Sequence, residues 1–493
     1  LDKPDVCVVG GGFGGLTAAA VLARSGKVNV SLLEASGEWG GCAGKFSRGR
    51  FTFPAGATLG LGFQTGGIHD TVNRMLGIEV EKTFPDTVMT ILTEEGTIHY
   101  YRDRERFLSE MDRHFPEVKM SIRKFFYRCW RMAVPMDRLS SGMPAHPFAS
   151  PADFLHTLKQ VRPLDMKLGY YLRKPLVYLL KKYGLDRHRS FIHFIDGLLI
   201  DSLQTSSSKA SCLLAAYALD IYHRGACYLY GGLYRNAEAL AHKTAEAGGT
   251  ALKRRKVEKV WKSENKWIVQ DQKGNRRIFD HVVFNLPLEN LSKLLFPETY
   301  RRLPEKSRKA PGGQWGAFTL YLALTEEVIP ENMPLFQQVV SGVNEPLSEG
   351  HHIFVSASDK NDRHRAPAGF RTLTASTHTN LENWNDADTY DVRRSQMTAF
   401  MIDQLKTAIP RLETGIVHLV PGAPKAWERF TGRINGSVGG YPQTAAGSLL
   451  GDHSHTLGMR GLWVCGDTVF PGAGTMAVSS SGFHAARAVL REV

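Results

Sequence analysis

Apolar positions cluster in short runs that change period along the chain. The first run, Val6-Cys7-Val8-Val9, is too short for a helix and ends at a glycine cluster, so it reads as a buried strand. Leu16–Ala23 is apolar and alanine-rich and reads as a helix, and Val28–Leu33 reads as a second strand ending at Glu34. Further strands are predicted at Thr97–Arg102, Lys256–Val260, Val282–Phe284, Trp315–Leu324 and Thr372–Thr377. Helices are predicted at Arg104–Phe115, stopped by Pro116, at the aromatic-rich Lys119–Met132, at the mostly apolar Ala210–Ile221 and at Ala237–Ala247. Strand, turn, helix, strand in that order predicts an α/β fold with a Rossmann-type parallel sheet.

The first turn carries chemistry. It reads Gly10-Gly11-Gly12-Phe13-Gly14-Gly15. Gly10 permits a tight turn, Gly12 lets backbone approach a pyrophosphate, and Gly15 lets the helix pack on the strand. The helix then offers free N–H groups and the positive end of its dipole to phosphate. Glu34 is placed to accept hydrogen bonds from ribose hydroxyls, and a carboxylate there disfavours a 2′-phosphate. A glycine-rich surface turn would not require an acidic residue at the end of the next strand. The expectation is a dinucleotide site.

Composition narrows the picture further. A chain of 493 residues, 43% hydrophobic, is expected to form two domains or one elaborated unit. Its six cysteines show no C-x-x-C spacing or Cys/His cluster, so reduced thiols and no metal site are expected. A net charge of +13 is compatible with anionic lipid or nucleic acid, but no nucleic-acid motif accompanies it, and no nucleic-acid partner is expected. The strand begins almost at the first residue, with no signal peptide ahead of it and no apolar run of transmembrane length. The expected location is cytoplasmic, or peripheral on the inner face of the cell membrane.

The sequence after Glu34, Ala35-Ser-Gly-Glu-Trp-Gly40-Gly41-Cys42-Ala43-Gly44-Lys45, resembles the second glycine patch of the amine oxidase and phytoene desaturase flavoproteins. Gly49–Thr58 also matches, although Pro54 stands where the family usually has Asp. Tyr230-Gly231-Gly232-Leu233, the strand through Val257, Asn285-Leu286-Pro287 and Gly466-Asp467-Thr468 followed by Pro471-Gly472-Ala473-Gly474-Thr475-Met476-Ala477 recur in family order. The resemblance spans the chain and implies FAD as cofactor. It assigns to FAD Gly10, Gly12, Phe13, Gly14, Gly15, Glu34, Ala35, Gly41, Cys42, Lys45, Ala57, Thr58, Val257, Asn285, Gly466, Asp467, Thr475, Met476 and Ala477. Within it, Val257 clasps the adenine end through its backbone, Asp467 meets the ribityl or pyrophosphate region, and the helix beginning at Thr475–Ala477 faces the isoalloxazine. Cys465 is read as core, not as a flavin tether.

The implied architecture is a discontinuous FAD-binding domain (residues 1–75, 225–295 and 430–493) with a substrate domain from 76–224 and 296–429. Gly56-Ala57-Thr58, Gly66–His69 and Leu76–Glu79 resemble the carotenoid desaturase and isomerase branch, nearest to the carotene 3′,4′-desaturases. That implies a long apolar polyene substrate. The expected activity is desaturation, with hydride passing to flavin N5, a proton lost, and oxygen or a quinone as final acceptor. Alternatives are a flavin-dependent cis–trans isomerase, a ketolase-like oxygenase, or a non-catalytic polyene carrier retaining FAD. No catalytic residue is assigned. His223, Arg224, Asp196 and Asp201 are read as structural, while Glu428, Arg429 and Arg433 either approach the flavin or lock a domain junction. Met166–Tyr183 mixes apolar and aromatic residues with Arg173, Lys174, Lys181 and Lys182 and reads either as a membrane-surface patch or as an ordinary amphipathic helix.

Overall fold

The apolar runs become the following elements in a computed structural model that describes residues 3–447 and 453–493, so Leu1, Asp2 and 448–452, which fall within the expected cofactor segments, lie outside the described residues. The first half of the chain contains β1 (Asp5–Val9), α1 (Phe13–Ser25), β2 (Asn29–Leu33), α2 (Ile68–Leu76), β3 (Thr87–Thr93), β4 (Gly96–Tyr101), α3 (Arg104–His114), α4 (Lys119–Ser141), α5 (Arg189–Leu203), α6 (Cys212–Gly225) and α7 (Tyr234–Glu246). Next come β5 (Thr250–Leu252), β6 (Val257–Ser263), β7 (Lys266–Asp271), β8 (Arg276–Phe279) and β9 (His281–Asn285). The remainder holds β10 (Trp315–Thr325), β11 (Phe336–Val340), β12 (His352–Ala357), β13 (Phe370–Thr379), α8 (Tyr390–Leu405), β14 (Ile416–Gly422), β15 (Ser437–Val438), β16 (Leu462–Cys465) and α9 (Thr475–Glu492).

Two large sheets organise the molecule. One is parallel, in the order β16-β9-β1-β2-β5. Its strands are apolar on both faces, as a sheet covered on both sides requires: Val6, Cys7 and Val8 are all fully buried. Helices α1, α7 and α9 pack on one face, with Leu16, Leu240 and Val489 in their shared core. The antiparallel β6-β7-β8 sheet packs on the other, through Val260, Trp267 and Phe279. The second large sheet runs β14-β10-β13-β12-β11-β3-β4, with β15 pairing to β10. All its pairs are antiparallel except β11 with β3. Helices α3, α4, α5 and α6 share an aromatic core with it that includes Phe107, Phe126, Phe191 and Phe336. The architecture is the expected α/β fold, with a substrate region interleaved through the chain.

Two elements depart from the sequence reading. Helix α4 continues past Met132 to Ser141 with Pro135 in its interior. Met132 and Ala133 are fully buried, and the long packing contact with α6 outweighs the hydrogen bond that proline removes. The stretch Met166–Tyr183 is not one amphipathic helix. It comprises the end of a 3₁₀ turn (Pro163–Leu168), a single α-turn (Gly169–Leu172) and a short helix (Val177–Lys182), interrupted at Pro175. Its second half is core, since Leu176, Leu179 and Leu180 are fully buried, while its first half is on the surface.

Candidate functional site

The glycine turn is held against β9. Gly10 has φ +102°, and a Cβ there would meet the Asn285 carbonyl oxygen at 2.6 Å. A Cβ on Gly15 would stand 2.1 Å from the Gly10 carbonyl oxygen, so α1 can leave β1 at this angle only without a side chain at that position. Asn285 Nδ2 donates to the Gly10 carbonyl at 3.3 Å and fastens the turn to the parallel sheet. Helix α1 begins at Phe13 with no capping side chain and no acidic residue in its first turn, which leaves its N–H groups and positive dipole end available to an anion. The second patch folds back onto this turn: Gly40 N donates to the Gly11 carbonyl at 2.8 Å, and a Cβ on Gly41 would lie 3.3 Å from Gly12 Cα.

Glu34 is bound on both oxygens. Oε2 accepts from Gly11 N–H at 2.5 Å and Oε1 from Ser36 N–H at 2.6 Å. Burial nevertheless pushes its carboxyl above the usual range, since these backbone bonds only partly offset the desolvation. Ala35 and Val257 stand on the same wall, as do Arg255 and Lys256.

At the other end of the chain, Gly466 (φ +119°) ends β16 and donates its N–H to Ser481 Oγ of α9 at 2.8 Å. Asp467 follows and forms a buried ion pair with Arg433 at 2.9 Å. Arg433 also donates through Nε to the Ser437 carbonyl at 2.5 Å and is held firmly protonated by Asp467. Helix α9 starts at Thr475 behind Gly474, again with no side-chain cap and no acid in its first turn. Its N-terminus is braced from α2: His69 lies 3.2 Å from Thr475 Oγ1 and stacks on Phe63 with ring centroids 4.4 Å apart. Burial keeps His69 neutral, its pKa lowered to about 3.

These pieces meet on one cavity of about 2050 Å³. Gly10, Gly12, Phe13, Gly14, Glu34, Ala35, Gly41, Cys42, Lys45, Ala57, Thr58, Val257, Asn285, Gly466, Asp467, Thr475, Met476 and Ala477 all line it. Of the candidate residues only Gly15 does not, because its place is the helix–strand contact behind the turn. Lys45 lies on the wall, but its ammonium is taken by Glu238 at 2.6 Å and sits 4.5 Å from the centre of the Tyr234 ring. Cys465 is fully buried with Sγ 3.6 Å from Asn285 Oδ1. Two uncapped helix N-termini, a glycine cradle and a fixed carboxylate suit a dinucleotide. The volume exceeds the roughly 300–1000 Å³ of a pocket for one small ligand, so a second molecule fits beside it.

The rest of the wall is largely apolar. It includes Leu139 of α4, Leu203 of α5, Leu213, Leu214 and Ile221 of α6, and Phe354 of β12. Asp201, Tyr222 and His378 are polar exceptions. Among the residues read as structural, His223 is buried with Nδ1 2.9 Å from the Arg102 carbonyl, and Arg224 pairs with Asp137 at 2.7 Å and with Asp220. Asp196 accepts from Ser207 N–H at 2.6 Å. Arg433 and its partner Asp467 went unrecognised as a pair, since nothing local links residues 34 apart. Trp39, whose ring would meet a Cβ on Gly11 at 2.6 Å, was also missed as the cover of the glycine turn. Among the described residues no group of three or more His, Cys, Asp or Glu side chains is arranged to hold a metal ion.

Comparison with known proteins agrees with this geometry. The sequence profile of the flavin-containing amine oxidoreductases matches residues 13–490. Prolycopene isomerase 1 of an Oncidium hybrid cultivar is 27% identical over 512 residues, covering 100% of this chain and 84% of that protein. The carotenoid 3,4-desaturase of Haloarcula japonica is 22% identical over 530 residues, covering 100% of this chain and 99% of that protein. The fold is shared with putrescine oxidase bound to putrescine, at a TM-score of 0.65, 15% identity and 99% of both chains. The expected placement nearest the carotene desaturases is therefore corrected, because likeness to the isomerase is stronger. Glycine turns and a ribose-binding carboxylate serve any bound dinucleotide, and for that reason they do not separate the branches. The chain belongs to the flavin-containing amine oxidoreductase family and is an enzyme of the FAD-dependent oxidoreductase class.

Proposed function

We propose that the protein binds FAD and catalyses the cis–trans isomerisation of a long apolar polyene, with no net oxidation. The observation that carries this reading is the continuity of the cavity. The dinucleotide cradle and the apolar wall from α4, α5 and α6 enclose the same space. Gly10, Gly12 and the start of α1 would hold the pyrophosphate, Glu34 the adenosine ribose, Val257 the adenine end, and Asp467 with the start of α9 the flavin end. When bound, the flavin supplies a redox-active, electron-rich ring. The chain's own contribution is to orient the polyene along an apolar wall and to keep water from it. Isomerisation is favoured over desaturation by the stronger likeness to prolycopene isomerases, 26–27% identical over at least 99% of this chain. The desaturase, whose chain is covered almost end to end, supports oxidation as a second reading, with oxygen or a quinone accepting the electrons.

The same reading includes attachment to a membrane surface, from which the polyene enters. Leu155, Leu158, Leu164, Met166 and Tyr170 are each more than half exposed, with Leu164 at 76% and Met166 at 74%. Lys159, Arg162 and Lys167 are interspersed with them. Met166 and the adjacent Leu168, Gly169 and Leu172 also line the cavity, so the exposed apolar patch borders its wall. Apolar side chains among cations suit an anionic leaflet.

The test is conversion of a cis-configured polyene in liposomes by FAD-loaded protein, followed by absorption and product mass. Unchanged mass with an altered spectrum is expected. Loss of two hydrogens would establish the desaturase reading, and no conversion of any polyene would remove both.

A further inference from the structure

Asp201 is the anomaly of the apolar wall. It stands in the last turn of α5, where the helix dipole disfavours negative charge. Its Oδ2 accepts from Gln338 Nε2 of β11 at 2.7 Å. Its Oδ1 has no hydrogen-bond partner among the described residues. Among the described residues neither Lys nor Arg is near enough to pair with it, and the only basic group within ion-pair distance is His352 Nε2, at 3.8 Å. His352 is fully buried and kept neutral, its pKa lowered to about 3, and neutral His378 (lowered to about 4) faces Asp201 from β13. Burial pushes the Asp201 carboxyl up to about 6. The side chain retains 16% exposure, and Asp201, Tyr222 and His378 all line the cavity, so that exposure is to the cavity.

A buried carboxyl without a countercharge costs stability, and an apolar residue in the same place would avoid the cost. A wall built only for a hydrocarbon has no use for it. The half-satisfied carboxyl, fixed on one oxygen by Gln338 and open on the other, is arranged to accept a hydrogen bond from a ligand in the cavity. We propose that Asp201, with His378 beside it, is a specificity site for the hydroxyl of an oxygen-bearing polyene, so that the preferred substrate is a polyene alcohol. This rests on the polyene reading above and names the substrate class within it.

The test compares three ligands of equal chain length on the FAD-loaded protein in detergent micelles: a hydrocarbon polyene, the same polyene with a terminal hydroxyl, and the methyl ether of that alcohol. Dissociation constants are read from quenching of tryptophan fluorescence. The alcohol is expected to bind ten- to a hundredfold more tightly than the hydrocarbon, as a hydrogen bond to a charged group allows, and the ether, which cannot donate, is expected to bind like the hydrocarbon. Asp201→Leu is expected to bring the alcohol down to the hydrocarbon's affinity. Equal binding of all three ligands overturns the inference and leaves the polyene reading standing. A preference that survives in Asp201→Leu also overturns it. Absence of binding by every ligand overturns the polyene reading and this inference together. If Asp201→Leu fails to fold, the alcohol–ether comparison on the unaltered protein decides.

Discussion

Gly15 carries no ligand and yet fixes the cradle. A methyl group there would meet the Gly10 carbonyl at 2.1 Å, so Gly15→Ala must push α1 away from β1 and turn its free N–H groups away from the cavity. Overpacking of this kind costs about 1–3 kcal/mol. The variant is expected to unfold earlier in urea and to purify with little flavin absorbance. A Gly15→Ala protein with full flavin content would contradict the placement of the turn. At this scale the sequence was informative wherever chemistry is local. Gly10, Gly12 and Glu34 lie within one strand–turn–helix–strand unit, and the structure brings all three to one cavity wall, where their spacing fits the proposed dinucleotide. Arg433 meets Asp467 across 34 residues, and Asp201 meets Gln338 across 137. Neither meeting leaves a trace in local spacing, and Asp201 therefore reads as an ordinary polar residue until the cavity wall is seen.

Among the elements, α1 and α9 do matching work from opposite ends of the chain. Both begin on the cavity with uncapped N-termini, and they pack against each other closely enough that a Cβ on Gly482 would lie 2.0 Å from the Gly14 carbonyl. The surface around Pro151–Leu158 and Pro163–Leu168 behaves differently, since Leu155, Leu158, Leu164 and Met166 are each more than half exposed. Replacing Leu155, Leu158, Leu164 and Met166 together by Ser removes side chains that contribute little to the folded core. Each would contribute up to about 1.5–3 kcal/mol if buried in lipid. The quadruple variant is expected to partition onto anionic liposomes at least tenfold more weakly, with its thermal midpoint unchanged. Undiminished partitioning would contradict the membrane reading. The sequence pattern singled out Met166–Tyr183 as one stretch, whereas Met166 and Tyr170 are exposed and Leu176, Leu179 and Leu180 are buried. Basic and apolar residues from Val177 to Lys182 have the same composition as the surface patch, and only packing against α6 distinguishes core from rim.

For the whole molecule, buried neutral histidines set the response to acid. His69, His352 and His484 have their pKa values lowered to about 3 by burial, and His223 and His378 to about 4. In the unfolded chain each titrates near 6.5. Between these values the unfolded state binds protons that the folded state does not. Stability is therefore fully present above about pH 6.5 and is lost as pH falls toward 4, by up to about 1.4 kcal/mol per pH unit for each histidine. Asp201, raised to about 6, and Glu34, Asp137 and Asp196, also raised, act in the opposite direction but are fewer. The urea midpoint is expected to fall from pH 7 to pH 5, and a flat or rising midpoint would contradict this balance. The α/β class was readable from the sequence because alternation of strand and helix is a pattern of order. The shared cavity was not, because its apolar wall comes from helices whose inward faces look like any other core.

The most direct test of the central claim is an electron count during turnover. FAD-loaded protein would be reduced under anaerobic conditions and mixed with excess cis-configured polyene. Flavin absorbance would be followed while product is quantified by mass and spectrum. Many turnovers of polyene to an isomer of identical mass are expected while the flavin remains reduced. Conversion that requires oxidised flavin, and reduces one flavin for each polyene that loses two hydrogens, would contradict this expectation.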